Sequence, residues 1–109
     1  MEDTWKPGPP CRLAHIILIA PDATDEQKRA GHMLVGACHT IAGGVSIYPG
    51  RGEWRNPQGE TLAESHIRIE VFTDSAVAIV AAHRRFGDMA NEHTLARIVD
   101  GVPVFESRG

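Results

Sequence analysis

Cysteine is scarce in this chain of 109 residues: there are two, Cys11 and Cys38, and no CxxC spacing. A domain this small that relied on disulfides would carry more of them. The pair therefore points to a reducing compartment, the cytoplasm, and to unlinked thiols. Lysine is scarcer still, two of eleven basic residues, and the formal charge is −3, so no basic field advertises a nucleic-acid partner. No apolar run is long enough to span a membrane. The opening MEDTWKPGPPC lacks the basic start and apolar stretch of a secretory leader. Neither GxxxxGK[ST] nor GxGxxG occurs, which removes the usual phosphate cradles. The six histidines include no HxxxH pair, and His32 and His39 are seven apart, so no metal or cofactor is expected.

What is present reads as one small α+β domain. Residues 1–12 form an extended arm, because Pro7, Gly8, Pro9 and Pro10 exclude regular structure, and Trp5 within it wants a surface to lie on. Residues 13–109 make the domain. Leu13 to Ala20 (LAHIILIA) suits a strand buried on both faces. Thr24 and Gln27 then form a capping box for a helix from Asp25 to Ile41, ended by Gly43-Gly44. Its apolar stripe is Ala30, Leu34, Ala37, Cys38 and Ile41.

A second strand begins at Val45, and Gly43 to Phe72 reads as an over-long β-hairpin turning at Asn56-Pro57-Gln58-Gly59. Thr73-Asp74-Ser75 caps a second helix with a stripe of Val77, Val80, Ala81 and Arg84, with Ile79, His83 and Phe86 alongside, ending near Gly87. Thr94 to Val99, the Asp100-Gly101 turn and Val102 to Glu106 close the chain. The order is β-α-β-β-α-β with a short extra strand. This is the ferredoxin-like pattern, two helices on one face of a four-stranded antiparallel sheet.

Centring the hairpin on its turn pairs Arg55 with Glu60, Glu53 with Leu62 and Arg51 with Glu64, and places His66, Arg68 and Glu70 on the same face. Such a row of opposite charges keeps an exposed arm soluble. Gly50-Arg51-Gly52 and Trp54 ask for more, since a tip beyond the sheet cannot bury an indole without a partner. The candidate ligand-binding residues are therefore Arg51, Trp54, Arg55, Glu64, His66 and Arg68. His66 with Glu64 is the best acid-base pair in the chain, but no nucleophile accompanies it, so no catalytic residue is assigned. The apolar central strand beside His66, Arg68 and Glu70 makes a mixed sheet face that a homodimer or homotrimer would cover.

With Gly50, Gly52, Trp54, Gly59 and Glu64 in these positions, the hairpin resembles that of small uncharacterised bacterial and phage domains. In architecture the chain is also similar to the nitrogen-regulatory P-II superfamily, in which a long loop between the second and third strands shapes nucleotide sites between subunits. That loop would be residues 49–64 here. Neither the modification motif of that superfamily nor its lysine-rich turn is visible.

The function that the sequence favours is a non-catalytic oligomeric module binding a small anionic ligand between subunits. A nucleotide or signalling nucleotide, sequestered by a phage protein, is the natural version. The alternatives are a protein–protein module, such as a phage-encoded inhibitor of a host complex, and a small dimeric enzyme using His66 and Glu64.

Overall fold

Thr24 sets the start of the first helix as its sequence requires. Its hydroxyl accepts from the Gln27 amide at 3.2 Å, and the Gln27 side chain accepts from the Thr24 amide at 3.0 Å. The computed structural model describes residues 15–19 and 24–108, apart from the side chains of Leu18 and Trp54. The expected N-terminal arm with Trp5 and Cys11, the outer residues of the first strand, and the role assigned to the Trp54 indole lie outside the described residues.

The elements follow in the order β1 (His15–Ile19), α1 (Asp25–Ala42), β2 (Ser46–Arg55), β3 (Thr61–Val71), α2 (Ala76–Ala90), β4 (Thr94–Val99) and β5 (Val102–Ser107). The fold is ferredoxin-like, with both helices on one face of an antiparallel sheet. That sheet has five strands in the order β2-β3-β1-β4-β5, because β5 pairs along the whole of β4. The β4–β5 turn has φ of 53° at Asp100 and 78° at Gly101, the left-handed pair that suits a two-residue hairpin. None of the described helices is long and apolar enough to cross a membrane.

The core lies between helices and sheet. Ile17, Ile69, Val71, Ile79 and Cys38 are fully buried, and Leu34 and Phe86 pack against them. Complete burial of each isoleucine contributes about 2 kcal/mol. Burial also pushes the Cys38 thiol above its ordinary pKa, which keeps it protonated and inert.

Two sequence expectations fail by small rotations. The stripe on α2 is Ile79, His83, Phe86, Gly87 and Ala90, while Val77 is 83% exposed. The helix runs through Gly87 because that residue lies tight against Leu95, where a Cβ would come within 3.0 Å of both terminal methyls. Ser75 occupies the cap position without a side-chain capping bond.

The second correction concerns the hairpin register. Arg55 pairs with Thr61, Trp54 with Leu62, Glu53 with Ala63, Gly52 with Glu64, Arg51 with Ser65 and Gly50 with His66. Every expected pair is therefore displaced by one residue. A two-residue loop needs positive φ at its first position, which Pro57 cannot adopt. The chain uses a three-residue loop instead. The Gly59 amide donates to the Asn56 carbonyl at 2.9 Å, and Gly59 itself carries φ 81°. Asn56 Oδ1 accepts from the amides of Gln58 and Glu60, which fixes the loop.

Candidate functional site on the open face of the hairpin

Because side chains alternate along a strand, the displaced register splits the five predicted residues with described side chains between two faces. Glu64, His66 and Arg68, with Glu70, lie on the face turned away from the helices. Arg51 and Arg55 lie on the other, in line with Ile67 and Ile69. Arg51 is paired there with Glu53 at 3.0 Å, both strongly exposed. Arg51 and Arg55 are therefore not brought together with Glu64, His66 and Arg68 within one subunit.

The open face holds a tighter group. Tyr48 lies opposite Arg68, whose guanidinium carbon is 4.9 Å from the centre of the phenol ring. Gly50 lies opposite His66, and the half-buried imidazole covers the glycine backbone: a Cβ at Gly50 would meet ring Cε1 at 2.8 Å. Gly52 lies opposite Glu64, and Ser46 opposite Glu70. Gly50 thus serves its cross-strand neighbour, leaving room for the imidazole ring. β1 adjoins this group, with Ile16 level with Glu70. Beyond it Ile98 and the 79% exposed Phe105 continue the face, which no other described element covers. Together these side chains offer an imidazole, two carboxylates, an aromatic ring and a guanidinium on one surface.

A second polar group, under α2, escaped the sequence reading. Arg97 on β4 is 5% exposed and donates to His83 Nδ1 at 3.2 Å and to Glu106 Oε1 at 2.9 Å. Arg84 grips the same carboxylate with two nitrogens, its Nη2 reaching Oε2 at 2.6 Å. These two arginines hold Glu106 down to a pKa of about 2. His83 is fully buried. Burial first, and the Arg97 charge second, lower its pKa to about 4, so the ring is neutral with its proton on Nε2. That Nε2 and Arg97 Nε have no hydrogen-bond partner among the described residues. The signal in the sequence was the alternation of Leu95 and Arg97, which puts the arginine on the buried side. Among the described residues no group of three or more His, Cys, Asp or Glu side chains could hold a metal.

No protein-family model matches the chain, and no curated protein matches it significantly in sequence. In fold it is similar to a phage SAM lyase in complex with S-methyl-5'-thioadenosine, with a TM-score of 0.63 and 10% identity over 98% of this chain and 97% of that one. The apo state of a phage SAM lyase gives a TM-score of 0.61 at 10% identity, covering 90% of both chains. The periplasmic divalent cation tolerance protein CutA from Archaeoglobus fulgidus gives 0.51 at 19% identity, covering 88% of this chain and 84% of that one. At such identities the likeness is one of fold, and it agrees with the ferredoxin-like, P-II-like architecture expected from the sequence. The non-catalytic binding module does not stand. The fold that this chain shares nearly end to end is one that an enzyme, a phage SAM lyase, also has.

Proposed function

We propose that this protein is a small lyase that cleaves an S-adenosyl sulfonium compound of the S-adenosylmethionine type, releasing S-methyl-5'-thioadenosine. The observation that carries this reading is the end-to-end match with a lyase that holds that thioether nucleoside. The open face of the hairpin supplies side chains suited to the reaction.

The chemistry asks for little machinery. A sulfonium is a strong leaving group: the bond from sulfur to the side-chain carbon breaks, its electron pair stays on sulfur, and a neutral thioether departs. The aminobutyrate part leaves by one of two routes. Its own carboxylate can attack the carbon that loses sulfur, which requires positioning and no proton transfer. Alternatively a base can remove the neighbouring proton as the bond breaks. Arg68, exposed and fork-shaped, suits the substrate carboxylate in the first route. His66, with Glu64 two residues away on the same face, is the base available for the second. Positive charge disappears from sulfur as the bond breaks, so a carboxylate in direct contact with it would stabilise the substrate over the transition state. Tyr48 is the milder partner for the cation.

The site is shared between copies of the chain, a homodimer or homotrimer, on this reading. The face with exposed Tyr48 and Phe105, which no other described element covers, and a hairpin that extends beyond its pairing with the described part of β1, support that arrangement.

The test is incubation of the purified protein with S-adenosylmethionine and chromatographic measurement of S-methyl-5'-thioadenosine against a protein-free control. Release above the spontaneous rate is expected, with a drop of at least about tenfold in Arg68→Ala. A rate equal to the control at high enzyme concentration overturns the proposal. The co-product, a lactone or an unsaturated amino acid, separates the two routes.

A further inference from the structure

A cavity of about 190 Å³ opens on the opposite face of the sheet, between α1 and the root of the hairpin. Its floor is Ile19, Ile47, Ile67 and Ile69. Ile67 lies between His66 and Arg68 in sequence and points away from both, so the cavity is separate from the open-face group. On the helix side the wall is backbone at Gly31, a buried glycine that leaves the space open.

The polar groups at this cavity are of one kind. Lys28 and His32, one turn apart on α1, both line it, and among the described residues no carboxylate does. Neither side chain has an ion pair or hydrogen bond with another described residue. Gln27 also lines the cavity, but its amide is committed to the Thr24 amide and to Glu92. An apolar floor with two free donors on one rim is complementary to a small molecule with a flat apolar body and one anionic end.

We propose that this cavity is a ligand site for small aromatic carboxylates of about indole size. The ring rests on the four isoleucines, and the carboxylate accepts from Lys28 Nζ and a ring N–H of His32. The site does not depend on the lyase reading.

Methyl-labelled protein titrated with indole-3-acetate and with its neutral isostere indole-3-acetamide tests this. The expected result is saturable movement of the Ile19, Ile47, Ile67 and Ile69 methyl signals, with Ile16 and Ile98 unmoved. The acid should bind roughly tenfold more tightly than the amide, as a charge-assisted pair implies. Lys28→Gln, an exposed change that leaves the core intact, should remove most of that preference, and Gly31→Leu should fill the cavity and abolish both. Equal affinity for acid and amide overturns the proposal, as does the absence of saturation at millimolar ligand. Methyl signals that shift on protein dilution and ignore both compounds would mean that a second copy covers the cavity, and would overturn it equally.

Discussion

The imidazole of His66 occupies the space that a side chain at Gly50 would need, directly across the hairpin. The contact is with the end of a movable side chain, so it can be disturbed without unfolding the strand. Gly50→Ala should keep the melting temperature within about 3 °C, since alanine is the better strand residue. It should displace the His66 ring and, on the proposed function, lower the release of S-methyl-5'-thioadenosine. Imidazole carbon–proton spectra and the thioadenosine assay check this together. Unmoved His66 signals would sink the assignment.

The glycines of the two helices should respond in opposite directions. Gly36 is exposed on α1 and a Cβ there meets nothing within 4 Å. Gly36→Ala should therefore stabilise by about 0.5–1 kcal/mol through helix propensity. Gly87→Ala drives a methyl into Leu95 and should destabilise by about 1–3 kcal/mol. Urea unfolding of the two variants tests the contrast, and a shared sign would show that the α2–β4 spacing is softer than described.

Stability should fall in acid in two steps. His83 in the folded protein has a pKa of about 4 against an ordinary 6.5. Between those values the unfolded chain binds a proton that the folded one does not. That favours unfolding as pH falls from about 6.5 toward 4, on the order of 3 kcal/mol over the whole window. Glu106, lowered to about 2, adds a further loss below its ordinary 4.5, when protonation releases both arginines. Unfolding free energies from pH 7.5 down to about 2 are the measurement. His83→Met should be less stable at neutral pH and flatter across the upper window.

Removing Glu106 should be far worse than removing Arg97. Without its carboxylate, Arg97 remains charged and buried, with a neutral imidazole as its main partner. Replacing the arginine with an apolar residue of similar length takes the buried charge away, and Arg97→Met should change stability by no more than about 1 kcal/mol. The comparison of Glu106→Ala with Arg97→Met by thermal unfolding checks this. A larger loss in Arg97→Met would mean that the network holds β5 in place by its geometry.

Much of the fold was legible where one residue type has one physical use. Thr24 with Gln27 announced the start of α1, Gly43 its end and Asp100-Gly101 the last turn. The site was less legible, because it depends on parity. A single residue in the loop decides which side of the sheet Arg51 and Glu64 occupy, and Asn56-Pro57-Gln58-Gly59 admits two loop lengths until the fixed φ of Pro57 is weighed. The α2 stripe was misread for a related reason. A fully buried His83 pairs with an arginine from a distant strand, and no helical periodicity reports that partner.

The hairpin strands are ten and eleven residues long, yet the described part of β1 supports β3 only over Ile67–Val71. Outward from Gly50 and His66 the ribbon hangs from its root like a cantilever, each strand bonded to the other and, among the described residues, to no third. Two strands alone hold poorly in water. Amide protons along Arg51–Arg55 and Thr61–Ser65 should thus exchange with solvent long before those of Ile69 and Val71. If they exchange slowly, some other chain must be clasping the arm, and the rate becomes a gauge of how many copies of this protein stand together.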